Sequence, residues 1–211
     1  NQKALAFVVT HEIPHDYIST EIHKNGGPFT LVPLPSEGVN KSAVVWMDKA
    51  EIINALIAMT EKDFSYELQK RSLNVLGEIN IEGIKSSWPI ISQYAKKLYG
   101  DRLALIAEAA HVFPPIGAQG LNTSFGDLRS LSSLIKQCLE KNEDYGSETN
   151  LKKYNKDRWN EIYVKILGID ALNRAALFEN KILKDFRLKS LKLIHKTGSL
   201  RNIAISSGLG Y

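Results

Sequence analysis

The chain has 211 residues, of which 44% are hydrophobic and 24% charged, an ordinary balance for a folded protein able to bury a sizeable core. A single cysteine, Cys138, excludes an internal disulfide framework, and no apolar run approaches the ~18 residues needed to cross a bilayer. The net charge of +4 is uneven: residues 1–150 carry 14 basic against 18 acidic side chains, residues 151–211 carry 13 against 5.

No basic-then-apolar leader opens the sequence. NQKALAFVVT runs directly into a strand pattern, as expected of a segment continuing from residues before it. Residues 4–10 (ALAFVVT), 28–34 (PFTLVPL) and 42–46 (SAVVW) are β-rich runs bounded by Pro, Gly or turn-like sequence. The period then changes. Ile52, Ile53, Leu56, Ile57 and Thr60 share one predicted helical face, with Asp48 as its N-cap. A second helix is expected from about Ser65 to Gly77. Residues 79–91 alternate and read as one or two strands, and RLALIA (102–107) reads as a short apolar strand. After the turn-rich HVFPPIGAQG, the residues Leu121, Phe125, Leu128, Leu131, Ile135, Cys138 and Leu139 recur at helical steps. NEDYGSETN (142–150) is a polar loop, and from 151 to about 195 the pattern is helical and lysine-rich.

These elements predict an α+β fold: a mostly antiparallel sheet with covering helices, then a helical basic part. The expected divisions are residues 1–101 (sheet and helices), 102–141 (strand–turn–helix) and 142–211 (basic helical region). The basic region suits a membrane surface or an acidic partner. It lacks an RNA-binding signature and interleaved aromatics, so nucleic acid is not expected.

HEIPH (11–15) matches the H-E-x-x-H string of zinc proteases, which works only on a helix, where both imidazoles share a face. Pro14 stands between the histidines and the preceding residues are β-like, so no metal site is expected. On an extended chain the two histidines would lie about 13 Å apart.

The stretch RLALIAEAAHVFPPIGAQGLNTSFGDLRSL (102–131) carries more. It is a strand, an acidic residue, a Pro-Pro-x-Gly turn, and a helix opened by Gly120-Leu121-Asn122. A helix N-terminus offers unpaired amides and a partial positive charge, and glycine lets a ligand approach the backbone. A tight connection with Asn122 near a helix cap would explain the turn equally well if it stood alone.

The whole string resembles the second FAD-binding motif of the class A flavoprotein monooxygenases, the para-hydroxybenzoate-hydroxylase-like enzymes, which runs R-x-x-L-x-G-D-A-A-H-x-x-P-P-x-G-[AG]-x-G-x-N. Matches fall at Arg102, Leu105, Ala109, Ala110, His111, Pro114, Pro115, Gly117, Ala118, Gly120 and Asn122. HEIPHDYISTEIHKNGGPFTLVPLP is similar to the His-Glu-x-Pro-His…Gly-Gly-Pro…Leu-Pro-Leu segment of ubiquinone-biosynthesis hydroxylases. The resemblance implies an FAD-dependent hydroxylase of a polyprenylated phenol, using NAD(P)H and O₂. By the same resemblance, Glu108 would bond the ribityl chain of FAD and the amides of Gly120, Leu121 and Asn122 would hold the pyrimidine end. Pro115 would lie beside the ring, Gly117 and Ala118 would shape the turn, and the sheet around Phe29–Pro35 would roof the substrate cavity. The enzyme would be cytoplasmic and peripheral to the membrane that holds its substrate. The resemblance names no protein acid or base, so catalytic residues stay unassigned.

Two departures stand out. The family's Gly-Asp pair reads Ala107-Glu108, and the G-x-G-x-x-G segment that grips the ADP half of FAD does not occur in these residues. The chain alone is therefore not expected to retain FAD. The alternative is a non-enzymatic relic of the same fold that serves as a binding module.

Overall fold

Alternation of buried and half-exposed residues makes Gln2–His11 the central strand, β1, of an antiparallel sheet. It pairs with β4 (Lys41–Lys49) on one side and β5 (Ile79–Pro89) on the other, and β3 (Gly27–Leu34) and β2 (Thr20–Lys24) extend the sheet beyond β4. The register stacks apolar side chains across strands: Leu5 opposes Trp46, Trp46 opposes Phe29, and Phe7 opposes Val44. These residues share one face because strand side chains alternate. On that face lie α1 (Ala50–Ala58) and α2 (Glu61–Ser72), which contribute Ile53, Leu56, Phe64 and Leu68 to the core. Phe64 packs edge-on against Phe7, with ring centroids 5.5 Å apart. Each fully buried side chain of this kind contributes roughly 1.5–3 kcal/mol.

The computed structural model describes residues 1–24, 26–116, 119–177 and 198. Asn1–Ile90 and Ile91–Ala175 fall into separate compact units. In the second unit, β6 (Gln93–Tyr94) pairs with β9 (His111–Val112), and β7 (Tyr99–Gly100) pairs with β8 (Leu103–Ala104). Two helices complete it, α3 (Gln119–Glu140) and α4 (Glu148–Leu177). Its core gathers Leu98, Ala110, Leu134, Cys138, Tyr154, Ile162 and Ile166. On α4 the buried residues Leu151, Tyr154, Arg158, Ile162, Ile166 and Ile169 recur at steps of three and four, the stripe of a helix packed on one side. No described helix is long and apolar enough to cross a membrane. Of the lysine-rich C-terminal region, residues 178–197 and 199–211 lie outside the described residues.

The α+β architecture is as expected, with several local corrections. Asp48 does not cap α1. It is in β4, its Oδ1 accepts the Lys49 N–H, and the residue preceding the helix is Lys49, which makes no side-chain cap. Of the expected α1 face, Ile53 and Leu56 are buried, while Ile52 (46% exposed) and Ile57 (40% exposed) face outward. Thr60 is not on that face. It caps α2, its hydroxyl accepting the Asp63 N–H at 3.2 Å, so α2 starts four residues earlier than Ser65. That helix ends at Ser72, stopped by Leu73 in the left-handed conformation, rather than at Gly77. Strand β2 has no counterpart among the expected elements, because in TEIHK only Ile22 is buried and charged edges look like loop. Of RLALIA only Leu103 and Ala104 pair as strand.

Candidate functional site

The chain enters the turn in an extended conformation at Ile106 (φ −136°, ψ 160°) and then reverses at Ala107, whose φ is +53°. A left-handed φ is strained for alanine and free for glycine. It starts a single 3₁₀ turn, Ala107–Ala109, closed by the Ala110 N–H donating to the Ala107 carbonyl at 2.9 Å. Glu108 sits at the middle of that turn, exposed, and its carboxylate makes no hydrogen bond or ion pair to any described residue. The chain then passes through β9, Pro114 and Pro115 to the start of α3. Pro114 and Ile116 are buried and Pro115 is exposed. Gly117 and Ala118 lie outside the described residues.

Glu108 and the first turn of α3 border one recess. It has a volume of about 240 Å³ and is lined by Glu108, His111, Val112, Phe113, Gly120, Leu121 and Ser124. A Cβ built on Gly120 meets no described atom within 4 Å, so glycine there borders open space at the helix N-terminus among the described residues. Leu121 is 66% exposed, and Asn122 is half-buried. An exposed carboxylate that can accept from hydroxyls, beside an open helix start that can meet an electron-rich ring edge, fits the ribityl and ring portions of FAD.

What fixes the turn was not apparent from the sequence. Asp127, fully buried on α3, accepts the Ala107 N–H at 2.9 Å and the His111 Nε2–H at 2.7 Å through Oδ2. Its Oδ1 accepts from Arg158 Nε of α4 at 2.8 Å. Burial pushes the Asp127 carboxyl up. The hydrogen bonds from His111, the Ala107 amide and Arg158 outweigh this, and the group is held below the ordinary carboxylate range. The ionised carboxylate takes the His111 Nε2–H, while the ring's Nδ1 is buried without a hydrogen-bond partner among the described residues. Tyr154 adds a second tie, its hydroxyl donating to the Leu105 carbonyl at 2.8 Å. The available signal was a lone Asp within the apolar pattern of α3 and an Arg at a core position of α4.

In the first unit, the segment Phe29–Pro35 serves two places: Phe29 and Leu31 enter the core, and Leu34 and Pro35, at and beyond the end of β3, line a separate recess of about 620 Å³ with His15, Tyr17 and Asn40. HEIPH is not helical: β1 ends at His11 and the chain bends back through Asp16 and Tyr17, both at positive φ. The histidine rings are therefore 5.7 Å apart instead of the extended-chain distance, yet both His11 nitrogens are engaged, by the Ile13 carbonyl and the Ser42 hydroxyl.

The match of a family model described as an FAD binding domain spans residues 3–162. The chain belongs to that family. It is 28% identical over 211 residues to ubiquinone hydroxylase UbiL of Rhodospirillum rubrum, covering 99% of this chain and 48% of that protein. Against the ubiquinone biosynthesis monooxygenase COQ6 of Schizosaccharomyces pombe it is 26% identical, covering 86% and 45%. Among solved structures, p-nitrophenol 4-monooxygenase PnpA of Pseudomonas putida superposes with a TM-score of 0.72 at 15% identity, over 99% of this chain and 52% of that one. This last likeness establishes the fold, that of the FAD-dependent monooxygenases. The chain spans about half the length of the curated relatives it matches.

Proposed function

We propose that this member of the FAD-binding family contributes the substrate-domain sheet and the ring-side flavin site of a monooxygenase that hydroxylates a polyprenylated phenol in ubiquinone biosynthesis. The observation that carries the reading is the shared recess: Glu108, free of described partners, and the open Gly120 start of α3 border one cavity. FAD bound there supplies electron transfer from NAD(P)H and oxygen chemistry with O₂, which side chains lack. The chain's own residues bind and orient. Glu108 accepts hydrogen bonds from the ribityl hydroxyls, and the amides at Gly120, Leu121 and Asn122 favour negative charge on the pyrimidine edge. Pro115, exposed ahead of α3, would stand beside the ring. The names of the relatives support ubiquinone precursors as substrates. Such long-tailed phenols reside in a bilayer, so the enzyme works as a peripheral protein on the cytoplasmic face.

A second reading, a binding module without catalysis, draws on Ala107, a strained residue where the family pattern has glycine. FAD titration of the full-length gene product, followed by flavin fluorescence, separates the two. Wild type binds FAD, and Glu108→Gln, which keeps size but loses charge, weakens binding about ten- to hundredfold, the worth of a hydrogen bond to a charged acceptor. Equal affinity of the two proteins would contradict the assignment of Glu108.

A further inference from the structure

The ion pair joining α3 to α4 is connected to the flavin turn by a single carboxylate. Arg158 is 4% exposed and Asp127 is 0% exposed. The Arg158 guanidinium is fully engaged on one side of that carboxylate: Nε donates to Asp127 Oδ1 at 2.8 Å, Nη2 to the Thr123 carbonyl at 3.1 Å, and Nη1 to Glu161. The other oxygen of Asp127 holds the Ala107 amide and the His111 ring. Space for the guanidinium exists because residue 126 is glycine: a Cβ there would stand 2.7 Å from Nη2 and 3.0 Å from Cζ.

The electrostatics give this arrangement a direction. A buried carboxylate without a cation is costly, and removing one partner of a buried pair leaves that cost uncompensated. Loss of Arg158 therefore forces Asp127 to rotate towards water or to take up a proton. Either change weakens its hold on the Ala107 N–H. Ala107 has reason to leave, because its φ of +53° is strained for an L-residue, and the adjacent residue is Glu108.

We propose that Arg158 is a positioning residue for the flavin site: through Asp127 it keeps the Ala107 turn in its left-handed conformation and so sets where the Glu108 carboxylate stands. The proposal rests on the reading that Glu108 faces FAD. It assigns to α4, which does not line the recess, a role in flavin affinity.

The test uses the full-length gene product and FAD as the probe. Arg158→Gln weakens FAD binding about ten- to hundredfold, the effect of losing a charged hydrogen bond at the contact it supports. Gly126→Ala, which displaces the guanidinium without deleting it, does the same and carries the test if Arg158→Gln fails to fold. Adding Ala107→Gly to either variant restores most of the lost affinity, because glycine adopts the turn without restraint. Ile162→Ala, a buried and purely apolar change on α4 that leaves the hydrogen bonds of Asp127 in place, provides the comparison for general loosening of the unit. Its effect on FAD is recovered far less by Ala107→Gly, which there contributes only its general stabilisation of the unit. Unchanged affinity in Arg158→Gln and Gly126→Ala, with Glu108→Gln still damaging, overturns the proposal alone. Equal recovery by Ala107→Gly in the Ile162→Ala and Arg158→Gln backgrounds also overturns it. Failure of Glu108→Gln to affect binding sinks the functional reading and the proposal with it.

Discussion

Replacing Ala107 by glycine should stabilise the second unit, although glycine ordinarily destabilises. At φ +53° an L-residue carries a penalty of about 1–2 kcal/mol. Glycine avoids that penalty but loses about 0.5–1 kcal/mol more chain entropy on folding than alanine. The difference favours Ala107→Gly by up to about 1.5 kcal/mol and centres at about 0.75 kcal/mol, a rise of roughly 3–6 °C in melting temperature for a unit of this size. The Ala107 amide keeps its bond to Asp127, since glycine retains the N–H. Ala109→Gly supplies the control, because Ala109 lies in the same 3₁₀ turn without a positive φ and should lose about 0.5–1 kcal/mol. Urea midpoints read by far-UV circular dichroism compare the two. Equal destabilisation by both substitutions would refute the account of the turn.

Acid should weaken the second unit through Asp127, whose carboxyl burial raises but whose bonds to His111, Ala107 and Arg158 lower it overall, below the ordinary 3.8. A folded-state value below the unfolded one gives stability that is complete above about pH 4 and lost as pH falls through the folded value. Asp127→Asn should flatten that acid limb in denaturation midpoints taken between about pH 5 and pH 3; an unchanged slope would speak against it. In the first unit, Ile53→Ala should cost about 2–4 kcal/mol and Ile52→Ala less than about 0.5 kcal/mol in urea unfolding, because only Ile53 is buried. The basic C-terminal region should sediment with anionic vesicles, each lysine contributing on the order of 1 kcal/mol near the surface, and release in salt. No sedimentation at low salt would leave the lysines as ordinary solvated charges.

Long alternating or apolar runs made the sheet legible: residues 4–10, 28–34 and 42–46 became β1, β3 and β4 with ends shifted by at most three residues. Where the pattern misled, the reason is local. Helix α3 offers apolar residues on two faces, and the one it buries is marked by Thr123, Gly126, Asp127, Leu134 and Cys138. Leu121, Phe125 and Leu128, which the period singled out, are exposed. Asp127 and Arg158 occupy buried helical positions, but a charged residue there reads as an exposed one, so the Asp127–Arg158–His111 cluster needed the fold to bring residues 111, 127 and 158 together. Thr60 was misread because a hydroxyl residue between two helices serves either as the last turn of one or the cap of the next. The turn at 107–122 could be recognised by its residue string. The left-handed backbone at Ala107 and the recess beside Gly120 were visible only in three dimensions.

Gly120 gives the central claim its most direct test, because its effects on folding and on flavin should have opposite signs. A Cβ there meets no described atom and Gly120 lies within α3, so Gly120→Ala should leave the fold intact and stabilise it by up to about 1 kcal/mol. If the helix start cradles FAD, the same methyl group occupies space the cofactor needs. FAD titration and urea unfolding of the full-length gene product, with and without Gly120→Ala, measure both effects. The account predicts a higher urea midpoint together with FAD binding weakened about tenfold or more, a loss of at least about 1.4 kcal/mol. Gly120→Ala protein that is more stable and binds FAD as tightly as wild type would contradict it.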